Sequence, residues 1–305
     1  MKKMKKIIVF ICFGIFSISS GQNDIELVVL GIAQDGGSPH INCYKECCSS
    51  LREKGLKNQV VSLGLQIHSK KKTYMFDATP DLPNQMAVLT QNNAYSLEGI
   101  FITHAHIGHY TGLQFLGREA MGAKEQVVYT LPKMTDFLTN NGPWSQLVQL
   151  KNILLEPISF DHKIKLEDEI EVKAIQVVHR NEYSETAAYS IESKNKKALF
   201  IPDIDKWYLW DKSIIDEIKK VDYAFIDASF FDENEVNYRA ISEIPHPFVI
   251  ESLALFKSQS KAFKDKIYFI HLNHTNPLFN SNSSAYKSVV EQGYHIASEG
   301  MRLKM

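Results

Sequence analysis

The chain has 305 residues, of which 44% are hydrophobic and 11% aromatic, and its formal net charge is −1. This composition supplies enough apolar surface for a large buried core and excludes an intrinsically disordered protein. A slightly acidic chain gains no general electrostatic attraction to phosphate backbones, so we expect no nucleic-acid partner.

The first residues predict a targeting segment. Met1–Lys6 is basic, Ile7–Ile18 is apolar, and residues 19–21 are small. We therefore expect a signal peptide at residues 1–21, a single mature domain at 22–305 and a periplasmic or secreted location. The apolar run is short for a bilayer span, so we expect no stable membrane insertion after cleavage. An uncleaved membrane anchor is the alternative.

The remaining sequence alternates short strands with a few helices. Apolar runs and alternation predict strands at 25–32, 60–69, 73–78, 97–103, 127–130, 153–158, 164–179, 186–193, 197–201, 223–228, 266–272 and 294–303. Helical spacing predicts helices at 82–90, 109–120, 207–220, 247–260 and 283–292. Strands dominate both halves, and no boundary separates them. We therefore expect an α+β fold of two packed sheets with helices on their outer faces.

Three cysteines follow the predicted signal peptide within six residues of one another: Cys43, Cys47 and Cys48. An odd number of cysteines in an exported protein cannot form only internal disulfides. A zinc ion bound by the thiols would explain the count. The alternative is one disulfide, between Cys43 and either neighbour, and one free thiol.

Three histidines follow the predicted strand 97–103. His104 and His106 are two residues apart, so in an extended chain their rings point to the same side, and His109 opens the next helix. Three imidazoles at a strand end are typical of a zinc or iron site. Buried or surface histidines in structural hydrogen bonds are the alternative.

The segment Thr103–Leu113 resembles the His-x-His-x-Asp-His signature of the metallo-β-lactamase superfamily, with Gly108 where aspartate is usual. The resemblance implies an αββα four-layer sandwich with two metal positions at one end. The site residues that it implies are His104, His106 and His179 for the first metal, His109 and His271 for the second, and Asp203 as the bridge.

Gly108 removes one carboxylate from the second position. We therefore expect one tightly bound zinc and a second that binds partially or not at all. Asp205 is a nearby carboxylate that could substitute, although a solvated turn residue is the simpler interpretation. Asp35 could also touch the site from its glycine-rich loop, with less support.

The loop Gly31–Cys43, which leads on to Cys47 and Cys48, resembles the first loop of the PqqB-like and PhnP-like branch of the superfamily. The resemblance implies a structural zinc held by Cys43, Cys47, Cys48 and His274. Whether both adjacent cysteines bind the metal stays open. The segment His271–Leu278 also resembles this branch.

A few further residues are candidates for roles around the metals. His246 could reach a transition-state oxygen or be a turn histidine, and with Asp203 it is our candidate catalytic residue. Asp77 resembles an early aspartate of the superfamily that orients the metal loop. Asp227 is more simply a solvated loop residue than a partner of a metal ligand.

These observations predict a metal-dependent hydrolase. A metal-bound water would attack an ester, a phosphodiester or a related bond of a small-molecule substrate. Zinc is the expected metal, and iron and manganese are alternatives for the active site. Two other functions stay open: a PqqB-like iron-dependent oxygenase or cofactor-maturation protein, and a non-catalytic metal-binding protein. A homodimer is also left open.

Overall fold

Two seven-stranded sheets form the centre of the fold in the computed structural model, which describes residues 24–167, 170–236 and 243–305. The first sheet has the order β14-β1-β2-β3-β4-β5-β6. Its strands are β1 (Ile25–Gly31), β2 (Ser62–Ile67), β3 (Lys72–Phe76), β4 (Ser96–Phe101), β5 (Gln126–Thr130), β6 (Ile153–Pro157) and β14 (Arg302–Lys304).

The second sheet has the order β13-β12-β11-β10-β9-β8-β7. Its strands are β7 (Lys163–Lys165), β8 (Glu171–Gln176), β9 (Ala187–Glu192), β10 (Lys197–Ile201), β11 (Tyr223–Asp227), β12 (Ile267–Ile270) and β13 (His295–Ile296). Strands β3 to β6 are parallel to one another, and so are β10 to β13.

Helices cover the outer faces of both sheets. The α-helices among the described residues are α1 (Glu46–Glu53), α2 (Leu82–Leu89), α3 (Ile107–Tyr110), α4 (Pro132–Asn140), α5 (Trp144–Gln149), α6 (Ile214–Lys219), α7 (Val249–Leu255), α8 (Lys261–Lys264) and α9 (Ser284–Glu291). Their buried side chains join the apolar layers, as Leu138 of α4 and Ile218 of α6 show. The predicted αββα sandwich is therefore confirmed.

The core between the sheets is aromatic. The ring of Phe76 lies 5.1 Å from that of Phe101 and 5.5 Å from that of Tyr189, measured between centroids. All three side chains are fully buried. Burying such large apolar side chains stabilises the contact between the sheets and fixes their relative position.

The parallel strands bring their carboxyl ends to one edge of the sandwich. The chain reverses sharply there: Asp77 after β3 and His271 after β12 have φ values of 69° and 64°. Left-handed backbone is rare for residues other than glycine and clusters at functional sites. The loops after β3, β4, β8, β10, β11 and β12 therefore meet at one place.

Some predicted elements differ in the structure. The strand predicted at 164–179 is the antiparallel pair β7 and β8, and the one predicted at 294–303 is divided between β13 and β14. The helix predicted at 109–120 is the short α3 followed by a 3₁₀ helix, Thr111–Leu116. A side chain at Gly112 would place its Cβ 2.0 Å from the carbonyl oxygen of Thr79, so the chain packs here more closely than an ordinary helix allows.

One part of the sequence prediction is corrected. The expected signal peptide, residues 1–21, lies outside the described residues, and nothing observed gives positive evidence for a signal peptide or for a secreted or periplasmic protein. That prediction depended on a basic segment followed by an apolar one, which reports hydropathy and not cleavage or transport. In the part of the chain that the structure describes, no helix combines the length and hydropathy needed to cross a membrane.

Candidate metal centre

The residues predicted for the first metal lie together. His104, His106, His179 and Asp203 each direct one possible ligand atom to a common point, and these atoms lie within 4.8 Å of one another. His106 Nδ1 is 2.9 Å from His104 Nε2 and 3.2 Å from His179 Nε2. Asp203 Oδ2 is 3.4 Å from His104 Nε2 and 3.3 Å from His179 Nε2. Three imidazoles and a carboxylate in this arrangement are typical of a catalytic zinc site.

A second group adjoins the first. Asp35, His109 and His271 offer ligand atoms within 4.8 Å of one another. Asp203 Oδ2 lies 3.9 Å from His109 Nε2 and 3.9 Å from His271 Nε2, so this carboxylate stands between the two groups. The structure thus brings all six predicted active-site residues to one end of the sandwich and adds Asp35 to them.

Four polar atoms in this region are buried without a hydrogen-bond partner: Asp35 Oδ1, His109 Nε2, Asp203 Oδ1 and His271 Nε2. Buried polar groups are normally hydrogen-bonded, because leaving one unpaired costs free energy. A divalent cation would satisfy the nitrogen and oxygen lone pairs together. The donors therefore fit a metal, and imidazole with carboxylate suits zinc, iron or manganese.

Hydrogen bonds orient the histidine rings. Asp77 Oδ2 accepts a bond from His109 Nδ1 at 2.7 Å, and Asp205 Oδ1 accepts one from His179 Nδ1 at 2.8 Å. Both bonds occupy Nδ1, so Nε2 is the nitrogen that faces the centre and would bind a metal. Asp77 also accepts bonds from the backbone N–H and the hydroxyl of Thr103, at 2.8 and 2.9 Å.

The structure places Asp205, the substitute considered for the carboxylate that Gly108 removes, and Asp35, expected only to touch the site, in different positions. Asp205 contacts the outer nitrogen of His179 and does not belong to the second group, whereas Asp35 does. Asp35 Oδ1 lies 3.2 Å from His109 Nε2. The sequence interpretation therefore gave Asp35 too little weight.

Asp227 is a partner of the site and not a solvated loop residue, so that interpretation was wrong. It is fully buried and accepts hydrogen bonds from the backbone N–H and hydroxyl of Ser229, both at 2.8 Å. Ser229 Oγ in turn accepts a bond from His271 Nδ1 at 2.9 Å. Sequence reasoning missed Ser229, whose only signal is its place directly after the predicted strand 223–228.

The candidate catalytic residue His246 lies beside the same carboxylates. Its Nδ1 is 2.8 Å from Asp227 Oδ2 and 3.1 Å from Asp203 Oδ1. Burial by itself would lower the pKa of His246, but the negative charges of Asp227 and Asp203 outweigh it and raise that pKa well above its usual value. The side chain keeps 11% of its surface exposed, so it is accessible from the edge of the site.

The carboxylates also set the charge of the other rings. Burial and the neighbouring His109 lower the pKa of His104 well below its usual value, so this ring is neutral and able to bind a metal. Burial would likewise lower the pKa of His179, but Asp203 raises it to about 9. With the carboxylates of Asp35, Asp77, Asp203 and Asp227 around them, the histidines lie in a field that attracts a cation.

The three cysteines form a separate cluster. Cys43, Cys47 and Cys48 are unbridged, and their sulfurs lie within 4.8 Å of one another. His274, the predicted fourth ligand, is not a member of this group: its ring stacks on His40 at a centroid distance of 4.4 Å. Three convergent thiols fit a structural zinc, and the role of His274 stays a prediction.

Comparison with known proteins agrees with this geometry. Residues 72–272 match the Beta-lactamase superfamily domain. The chain is 22% identical to the coenzyme PQQ synthesis protein B of Rhizobium meliloti (strain 1021), over 93% of this chain and 99% of that protein. It is 24% identical to the protein of the same name from Klebsiella pneumoniae (strain 342), over 91% of this chain and 97% of that one.

Solved structures show the same fold. The crystal structure of Zn²⁺-bound PqqB from Methylobacterium extorquens superposes with a TM-score of 0.75 at 19% identity, covering 92% of this chain and all of that one. A diphosphatase from the PhnP family gives a TM-score of 0.63 at 21% identity, with 92% and 96% covered. The chain therefore belongs to the β-lactamase superfamily, with a metallo-β-lactamase fold of the PqqB-like and PhnP-like branch.

Proposed function

We propose that this protein is a metal-dependent hydrolase that cleaves an ester, a phosphodiester or a related bond in a small-molecule substrate. The observation that carries the proposal is the convergence of His104, His106 and His179 on Asp203, next to buried nitrogens that have no other partner. A bound metal would supply a Lewis acid and a water that ionises near neutral pH. The zinc-bound PqqB neighbour supports zinc as the first choice.

The histidines, Asp203 and His246 would have different roles in the reaction. His104, His106 and His179 would bind a metal through imidazole nitrogens, which are uncharged ligands and leave the metal its positive charge. Asp203 would orient the attacking water, since its two oxygens face both metal groups and His246. His246 is the candidate proton donor or oxyanion partner: its Nδ1 is hydrogen-bonded to Asp227, so Nε2 is the ring nitrogen open to substrate.

The test uses purified full-length protein with a panel of aryl phosphodiester, phosphomonoester and carboxylic ester substrates, alongside elemental analysis. We expect transition metal in the wild type, hydrolysis of at least one substrate class, and a fall in kcat/KM of more than about 100-fold in His104→Ala, because even outer partners of metal ligands contribute 10–100-fold. His162→Ala is the control, since His162 is exposed and belongs to neither metal group. Wild type that retains no metal after mild dialysis would overturn the proposal.

The relatives support one second function. The curated PQQ synthesis B proteins align along nearly their whole length with this chain. A role in the synthesis of a coenzyme would follow from that likeness, and iron-dependent oxygen chemistry is the alternative that the sequence resemblance implies. Iron-loaded protein that consumes oxygen with a tyrosine-containing peptide, and hydrolyses none of the panel, would favour it. Tightly bound metal without turnover in either assay would instead indicate a metal-binding protein.

A further inference from the structure

Gly108 occupies the position at which the superfamily signature has a metal-binding aspartate, and another part of the chain fills the space of that missing side chain. A Cβ built on Gly108 would lie 2.2 Å from Asp35 Oδ1 and 2.6 Å from Asp35 Cα. Both distances are far below van der Waals contact. No side chain fits at position 108 while the loop that carries Asp35 stays in place.

Backbone hydrogen bonds join the loop that carries Asp35 to the residue next to His271. Leu272, the neighbour of His271, donates its backbone N–H to the carbonyl of Ile32 at 2.7 Å and accepts a bond from the N–H of Gln34 at 2.8 Å. These two bonds fix the backbone on both sides of Ala33. They deliver Asp35 and His271 to the same point from two separate parts of the sequence.

Asp35 Oδ1 is one of a group of buried polar atoms that have no hydrogen-bond partner. It lies 3.2 Å from His109 Nε2, and neither atom has a hydrogen bond; the same holds for His271 Nε2. The rings of His109 and His271 are completely buried. Each ring has its other nitrogen occupied by an oxygen acceptor, Asp77 Oδ2 for His109 and Ser229 Oγ for His271. A carboxylate and two such nitrogens are a ligand set with one place left for a cation.

We propose that Asp35 is a ligand of a second active-site metal and replaces the carboxylate that Gly108 removes. The second metal would be held by Asp35, His109 and His271, with Asp203 shared between the two metals. This inference rests on the proposed function only in that both require a metal at the first group. The second metal position would then be complete and not weakened. Its carboxylate ligand comes from the loop after β1, and not from the segment Thr103–Leu113 that carries Gly108.

Metal stoichiometry tests the proposal without any measurement of activity. Wild type, Asp35→Asn and Asp265→Asn would be titrated with zinc and counted by native mass spectrometry, with affinities from a competing chelator. Asp35→Asn keeps the size of the side chain and removes its charge. Asp265→Asn is the matched control, because it makes the same change at a carboxylate that is 70% exposed, contacts His295 and belongs to neither metal group.

We expect two active-site metals in wild type and in Asp265→Asn. In Asp35→Asn the second metal should bind at least about 100-fold more weakly, since removal of a direct ligand should exceed the 10–100-fold effect of outer partners. The first metal and any metal on the cysteines should be unchanged, which also shows that the variant is folded. Gly108→Ala should produce the same loss, because its Cβ displaces Asp35.

The outcomes separate the two proposals. Equal affinities of both metals in wild type and Asp35→Asn would overturn Asp35 as a ligand and leave the hydrolase proposal standing. A single active-site metal in wild type at saturating zinc would overturn the second site. An active site that binds no metal in any variant would overturn both.

Discussion

Asp77 holds the segment that carries His104 and His109 in position. Its carboxylate is fully buried and accepts three hydrogen bonds, from the backbone N–H and hydroxyl of Thr103 and from His109 Nδ1. Thr103 Oγ1 is in turn 2.9 Å from His104 Nδ1. One carboxylate therefore sets the orientation of a ring in each metal group. This agrees with the role that the sequence resemblance implied for it.

Replacing Asp77 should weaken both folding and metal binding. Asp77→Ala leaves the buried N–H of Thr103 without an acceptor, so we expect the free energy of unfolding of the metal-free protein to fall by about 2–4 kcal/mol. The affinity of the second metal should fall by about 10–100-fold, because His109 loses the partner that fixes its ring. Urea unfolding and zinc titration measure the two effects.

Asp265→Ala is the control for this substitution. Asp265 is 70% exposed and contacts only the partly exposed His295, so its loss should change stability little. If Asp77→Ala matched this control in both measurements, the role of Asp77 would be contradicted.

At the scale of residues, the sequence predicted what lies within one local pattern. His104, His106 and His109 follow a recognisable spacing, and His179, Asp203 and His271 each follow a strand. Asp35 could not be weighed in this way. Its part in the site depends on how closely the loop after β1 approaches Gly108, 73 positions along the chain, and a contact of that kind leaves no local spacing.

At the scale of elements, the loop between β1 and α1 connects the two metal regions. It passes Asp35 into the active site and reaches Cys43 eight residues later, and Cys48 then lies fully buried in the first turn of α1. The backbone N–H of His40 donates to Cys48 Sγ at 3.3 Å, which holds the middle of the loop against the cluster. A metal on the cysteines would therefore support the position of Asp35 as well.

Cys48→Ser should reveal both effects. We expect one fewer metal per chain, a lower melting temperature that chelator reduces by less than it does in wild type, and weaker binding of the second active-site metal. Calorimetry with and without chelator, together with metal counting, measures them. Ser49→Ala is the control: Ser49 is the next residue of α1, and its hydroxyl only bonds the carbonyl of Lys45.

Thiol counting separates zinc from the alternative disulfide. Alkylation of the unfolded, metal-free wild type should modify Cys43, Cys47 and Cys48 together. If only one of the three reacted, the cluster would be a disulfide with a spare thiol, and the structural zinc would be contradicted.

Two helices that start beside prolines, α4 and α5, were not predicted. No element is predicted over 132–146, yet α4 starts at Pro132 and α5 directly after Pro143. Proline is favoured in the first turn of a helix because the missing N–H would have no helical partner there. Met134 and Leu138, four residues apart, bury one face of α4. A four-residue spacing over so short a helix is too weak a signal to outweigh the turn residues around it.

At the scale of the whole molecule, the last residues join the two sheets. β13 pairs with β12 in the second sheet, and β14 then pairs with β1 in the first, with Leu303 opposite Leu27. Between them, the N–H of Gly300 donates to the carbonyl of Val29 at 2.9 Å. A single strand was predicted over 294–303, because the sequence alone carries no sign that the chain changes sheets.

A chain shortened to end at Ala297 should therefore be less stable and prone to aggregate. It keeps β13 but loses β14, so the edge of β1 is left unpaired, and an exposed edge strand pairs readily with other chains. It also loses Met305, whose side chain is 1% exposed and whose N–H donates to the carbonyl of Ile25.

Met305→Ala is the matched variant, because it keeps β14 and on its own should lower the free energy of unfolding by about 2–5 kcal/mol. We expect the shortened chain to unfold at a lower urea concentration than Met305→Ala and to form larger species in light scattering, whereas Met305→Ala stays dispersed. Because β1 leads directly into the loop of Asp35, the shortened chain should also bind the second metal more weakly. Equal stability and dispersity of the shortened chain and wild type would show that β14 is dispensable and that the first sheet is held by its central strands alone.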